Sequence, residues 1–222
     1  MVQLGVLALA LIATAPPWRD EDAPPPAEGD TASRLRVHFD LEGAYWQARV
    51  SGTPQGARLQ HDGAGVLGYK RIGFGFGLGW GLGDWLVVGA RGDLFMVPGR
   101  APDGRAQLTR GGSFSPYAEL LFARVRGVRP FLLARAGLGG TTSFAHDAGE
   151  WSATAVRSFV PSVGLGLGTH AFITEDLAFD LMVVGDYRWN LRPRDGKSFE
   201  TGYALVDAQL LVGAFVGFSR WF

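Results

Sequence analysis

The sequence predicts an all-β protein, an eight-stranded antiparallel up-and-down barrel that crosses a membrane. Three observations carry this. From residue 35 to the end, short stretches alternate apolar and polar side chains with a period of two. Their connections alternate between short and long, as they do when tight turns lie on one side of a membrane and larger loops on the other. The last stretch runs into an aromatic terminus, Phe222.

Composition sets the bounds. The 222 residues suit a single barrel domain. Formal net charge is zero, so nothing in it favours nucleic acid. The chain has 33 glycines and only 19% charged residues, unlike an ordinary soluble domain. With no cysteine it has no disulfide, thiol nucleophile or thiolate metal site. No metal site or cofactor is expected.

Three segments follow. Residues 1–15 read as a signal peptide. The apolar run from Leu4 to Ala13 is shorter than the ~20 residues a spanning helix needs, and Ala13-Thr14-Ala15 has the form of an Ala-x-Ala cleavage site. Residues 16–34 are rich in proline and acid and nearly free of large apolar side chains, so a disordered linker is expected. Residues 35–222 form the barrel.

In the first strand, residues 35–50, Leu35, Val37, Phe39, Leu41, Gly43 and Tyr45 share one face, and Arg36, His38, Asp40 and Glu42 the other. The second, 66–80, sets Ile72, Phe74, Phe76, Leu78 and Trp80 against Gly73, Gly75, Gly77 and Gly79. The third, 85–97, turns Arg91 and Asp93 inward. The fourth, 114–125, turns Phe114, Ala118, Leu120 and Phe122 outward and Glu119 inward, and the fifth, 130–141, carries Arg135 inward. In the sixth, 159–170, Val163, Leu165 and Leu167 alternate with Gly164, Gly166 and Gly168. The seventh, 177–189, sets Leu177, Phe179, Leu181 and Val183 against Asp180, Met182, Asp186 and Arg188. In the eighth, 203–222, Ala208, Leu210, Val212, Ala214, Val216, Phe218 and Phe222 face lipid, with Asp207 and Gln209 inside.

The connections at 81–84, 126–129 and 171–176 are short; those at 51–65, 98–113, 143–158 and 190–202 are long. With both termini on the short-turn side, the long loops face out of the cell and the termini lie in the periplasm. Aromatics gather at both rims, as amphipathic rings do at the two interfaces. Trp80, Trp85, Phe122 and Phe222 fall at the periplasmic rim, and Tyr45, Trp46, Phe95, Phe159, Tyr187 and Trp189 at the other.

On this pattern the segment 35–222 resembles the small eight-stranded outer-membrane barrels of the OmpA transmembrane-domain and OmpX type. Its ending, Gly217-Phe218-Ser219-Arg220-Trp221-Phe222, resembles the C-terminal signal of that family, with Arg220 departing from it. The resemblance implies insertion by the barrel-assembly machinery of a Gram-negative-type envelope, with Phe218, Trp221 and Phe222 as the assembly signal.

Eight strands enclose a lumen just wide enough for side chains to fill. The inward set is Arg36, Arg71, Arg91, Arg135 and Arg188 with Asp40, Glu42, Asp93, Glu119, Asp180, Asp186 and Asp207. Charges removed from water need partners. A paired network plugging the barrel is therefore expected, with inward glycines giving arginines room; a narrow solute channel is the competing reading. The second long loop carries Arg100, Arg105 and Arg110 against Asp103, which suits contact with lipopolysaccharide phosphates or simply a solvated loop.

No catalytic residue is assigned. A lipid A acyltransferase or deacylase is the enzymatic alternative: His61-Asp62 with Ser51, or Ser143, His146, Asp147 and Glu150, supply a histidine, a hydroxyl and an acid. His38 and His170 are expected at the periplasmic end of the lumen. Residues 63–68 fit a dinucleotide fingerprint but open a glycine-alternating strand instead of a helix. The rival fold is a soluble lipocalin-like carrier, with the apolar face inside. The expected function is a non-enzymatic envelope or surface-interaction protein, partnered by outer-membrane lipid, lipopolysaccharide and an unknown extracellular ligand.

Overall fold

An alternating strand of this kind needs one wet or paired face and one apolar environment, and the chain satisfies both by closing on itself. The computed structural model describes residues 34–51, 58–66, 72–100, 105–147, 150–193 and 203–222. Among the described residues nine strands form one antiparallel sheet: β1 (Leu35–Ser51), β2 (Arg58–Val66), β3 (Ile72–Gly81), β4 (Leu86–Arg100), β5 (Ala106–Leu121), β6 (Val128–Asp147), β7 (Glu150–Phe172), β8 (Leu177–Pro193) and β9 (Tyr203–Trp221). Strand β1 pairs with β9 and closes the sheet.

Nine strands make eight staves. Strands β2 and β3 both lie against β1, one after the other: Ala44 faces Val66 of β2, and Leu41 faces Phe74 of β3. The second stave was expected to start at residue 66 after a long loop. Instead β2 occupies 58–66 and pairs back to Ser51.

The other long connections differ from the expected loops in the same way. Pro98 pairs with Leu108, Thr142 with Arg157, and Arg192 with Ala204. These are hairpins that carry the barrel ladder onward. Their backbones keep strand hydrogen bonds although their side chains lose the apolar stripe by which a membrane strand is recognised. The connections at the opposite rim are tight. Val125 and Val128 bridge across Arg126 and Gly127, both at positive φ (49° and 80°), which matches a two-residue hairpin turn.

The apolar face points outward. Leu165, Phe114, Leu167, Leu138, Leu78 and Phe76 are all exposed, while their strand neighbours of opposite parity are buried or half-buried. A lipocalin-like carrier has the reverse arrangement. Here Arg36, Asp40, Arg91, Glu119, Arg135, Asp180 and Asp186 are inside, so the exposed belt is a lipid-facing surface.

Strand β1 does not keep one phase throughout. Its register against β9 shifts between Glu42 and Ala44, a bulge centred on Gly43. The extra residue inverts the alternation beyond it. Tyr45 therefore stands opposite Gly213, in the lumen-facing register, and Trp46 takes the outward one opposite Val212. This corrects the expected outward face of Tyr45. Phe95 is also turned inward, its ring lying where a side chain on Gly111 would go.

Candidate functional site

Among the described residues the lumen gathers buried charged groups, and it does so in layers. At the short-turn end Arg36 of β1 reaches across to two carboxylates. Its Nη1 meets Glu119 of β5 in a very short contact, and its Nη2 donates to Asp180 Oδ2 of β8 at 3.0 Å. His170 of β7 lies between the same two acids, Nδ1 at 2.7 Å from Asp180 and Nε2 at 3.6 Å from Glu119. Ser219 of β9 donates to Asp180 at 3.0 Å. Five strands thus share one cluster.

An aromatic floor closes this layer. Phe131 stacks on His170 at 4.4 Å between ring centroids, and Trp221 meets His170 edge-on at 5.8 Å. The Arg36 guanidinium lies 5.5 Å from the Trp221 ring, and Arg124 lies 4.2 Å from that of Phe172. Trp221 is 1% exposed. The sequence groups it with Phe218 and Phe222 as the assembly signal; the structure separates it from them by face. Strand parity from Asp207 onward puts Trp221 in the lumen with Ser219, and leaves Phe218 and Phe222 exposed at 52% and 61%.

The middle layer is built on two bidentate pairs. Arg91 of β4 donates from Nη1 and Nη2 to the two oxygens of Asp40, at 2.6 Å each, and from Nε to Asp93 at 2.6 Å. Arg135 of β6 grips Asp186 from Nε at 2.9 Å and Nη2 at 2.6 Å. Asp93 joins the pairs by accepting from Arg135 Nη1 at 3.4 Å, and Arg188 adds a contact to Asp186 at 3.0 Å. Fork-to-fork pairing of this kind fixes orientation as well as charge. The space comes from the wall: a side chain on Gly75 would run into the Arg91 guanidinium, and one on Gly164 into Asp186.

Between the two layers His38 packs edge-on against Tyr117, with ring centroids 5.6 Å apart. They line a cavity with Arg36, Asp40, Arg91 and Glu119 that has room for roughly one water molecule. Sequence reasoning missed Tyr117. Its signal was parity with Glu119 two residues on, opposite the inward Gly79 and Gly89 that leave it space.

The third layer lies nearer the long hairpins and is wetter. Gln47 donates to Gln209 at 2.9 Å, and Asp207 accepts from Asn190 and faces Arg49 Nε at 3.4 Å. Gln47 and Arg49 reach it because the Gly43 bulge turned them inward.

Other expected site residues fall elsewhere. Glu42 is buried on the lumen side, where side chains on Gly73 and Gly213 would meet it. Arg71 lies outside the described residues. Arg110 is on the outer wall with its guanidinium 4.4 Å from the Phe144 ring, and Arg105 is exposed at the hairpin end. Arg100 pairs in register with Ala106, its side chain outside the described set. The same holds for the side chains of Ser51, His61, Asp62, Ser143, His146, Asp147 and Glu150, named for the enzymatic alternative. Among the described residues no group of three or more His, Asp or Glu side chains could hold a metal.

No protein-family model matches the chain, and no curated protein matches it. Solved structures do. Neisserial surface protein A superimposes with a TM-score of 0.54 at 14% identity, covering 85% of this chain and 97% of that one. Ail, the attachment invasion locus protein of Yersinia pestis, gives 0.44 at 14% identity over 86% and 99%. The outer membrane protein OprG from Pseudomonas aeruginosa gives 0.42 at 10% identity over 88% and 98%. With its apolar exterior, charged lumen and β1–β9 closure, the chain has the fold of the small eight-stranded outer-membrane β-barrels.

Proposed function

We propose that this chain is an outer-membrane protein that works through its projecting hairpins, as a non-enzymatic envelope or surface-interaction protein. The lumen, in this reading, is structural filling. The observation that carries it is the pair of charge layers anchored by Arg36 and by Arg91 with Arg135, which span the lumen and leave between them room for roughly one water. A solute path needs a continuous wet column, and paired buried charges hold this one shut.

The hairpins are the surface left to meet partners. They extend the barrel ladder well past the apolar belt at the rim opposite the tight turns. Leu35, where β1 begins, hydrogen-bonds with Phe222 at the tight-turn rim, so hairpins outside the cell and that rim toward the periplasm form one consistent arrangement. The assembly role belongs in this reading to exposed Phe218 and Phe222.

The test is single-channel recording of the purified full chain in planar bilayers. No stable conductance step is expected; a reproducible open level makes the protein a narrow channel. Lipid A from cells with and without the gene is expected to have the same mass spectrum. A lost or gained acyl chain would establish the lipid-modifying enzyme instead.

A further inference from the structure

We infer that the outer wall of β4–β7 carries a lipid-binding depression that takes the phosphorylated head and one acyl chain of lipid A. The lipid-facing side of a barrel strand normally bears bulky apolar residues. Here the outward row that crosses four strands reads Leu94, Gly112, Gly140, Phe159 in direct register. Two adjacent outward positions therefore have no side chain. Gly140 is open: the only atom within 4 Å of an added Cβ is the Ser158 carbonyl oxygen, at 3.5 Å. At Gly112 the neighbouring Leu94 side chain leans in from one edge.

The residues around this bare backbone give it a shape. Toward the middle of the belt, paired Phe114 and Leu138 project at 62% and 58% exposure and form a shelf. On the hairpin side the next outward row is Met96, Arg110 and Thr142, with Arg157 at the register position opposite Thr142. The Arg110 guanidinium is held over Phe144 and pairs with no carboxylate among the described residues. An apolar slot with a fixed, exposed cation at its upper lip fits an acyl chain ending in a phosphate.

Height agrees with that ligand. Leu120 and Arg110 are both outward on β5 and ten residues apart. At ~3.3 Å per residue and a tilt near 40°, that is roughly 25 Å, about the height of a barrel's apolar band. Arg110 therefore sits at the head-group level on the hairpin side. Lipid A is the occupant because that side is, under the proposed function, the outer leaflet; the inference rests on that orientation.

The probe is bisphosphorylated lipid A, added to the full chain in dodecyl maltoside and followed by native mass spectrometry. The protein is expected to keep one lipid A under activation that strips phosphatidylglycerol and lipid A freed of both phosphates. Arg110→Glu, and separately Gly140→Trp, are expected to lower the retained fraction roughly fivefold, the scale of one arginine at an anionic lipid surface. Leu41→Trp, on the far wall, is expected to leave it unchanged. Arg110→Gln serves in place of Gly140→Trp if that variant loses its heat-dependent mobility in SDS gels. Equal retention of phosphatidylglycerol, or no effect of the variants that fold, overturns the site.

Orientation is read separately. The chain has no cysteine, and a side chain at Gly99 meets nothing within 4 Å. A Gly99→Cys barrel should react with an impermeant maleimide on intact cells. Labelled cells with no lipid A retention overturn the depression alone; unlabelled cells overturn the orientation beneath it.

Discussion

Arg91 holds Asp40 through both terminal guanidinium nitrogens, at 2.6 Å each, across 51 positions of sequence. Both residues are buried, so neither charge has water to fall back on. Removing one partner of a buried pair typically costs about 3–5 kcal/mol, because the other is left uncompensated. Arg91→Met and Asp40→Leu should each destabilise the barrel on that scale. The double variant should cost clearly less than the two single costs added. Guanidinium unfolding of the barrel in phosphatidylcholine vesicles, followed by tryptophan fluorescence, measures all three. Additive costs would mean the pair is not coupled.

The wall opposite Arg91 makes a second prediction. A Cβ on Gly75 would overlap the Arg91 guanidinium and crowd Asp93 at 2.9 Å. Overpacking costs about 1–3 kcal/mol in a well-packed interior. Gly75→Val should fall in that range, whereas Gly99→Val, at an open position, should stay within about 0.5 kcal/mol of the parent. The same unfolding assay separates them, and equal effects would show that glycine matters at position 75 for another reason.

Much of this was legible before any coordinates. Ile72 to Trp80 alternates so strictly with glycine that its two faces needed no structure to assign, and Asp180, Asp186 and Arg188 follow by parity. Three features were not legible. The bulge at Gly43 shows in sequence only as one glycine in a strand, which is ambiguous between a bulge and a small inward residue. The hairpins pair by backbone hydrogen bonds, and these leave no apolar period once both faces meet water. Which arginine meets which acid depends on register: Arg36 and Glu119 are 83 residues apart, and only the closed barrel brings them together.

Trp221 separates two roles at one terminus. Its ring is buried against His170 and Phe172, while Phe222 next to it is exposed. Trp221→Ala should cost about 3–5 kcal/mol, the usual figure for a buried tryptophan. Phe222→Ala should leave the unfolding midpoint almost unchanged and instead slow appearance of the SDS-resistant form in pulse-chase labelling. If the two variants behave alike in both assays, the division between lumen floor and assembly signal is wrong.

The tight turn before β8 gives a pH prediction outside the membrane. Thr174 donates from its hydroxyl to Asp176 Oδ1 at 2.6 Å and accepts from the Leu177 amide at 3.1 Å, and Arg220 donates to Asp176 Oδ2 at 3.1 Å. The Thr174 hydrogen bond, aided by Arg220, holds the Asp176 carboxyl below its usual range. A carboxyl depressed in the folded state stabilises that state above its unfolded pKa and loses the effect as pH falls through the folded value. Thr174→Val should therefore move the Asp176 titration up toward the ordinary carboxylate range, as read from its side-chain carboxyl carbon by NMR in micelles. It should also move the start of acid-induced fraying of this turn to higher pH, while the lumen pairs of Asp180 and Asp186 stay in place. An unchanged Asp176 titration would leave Arg220 as the group that sets it.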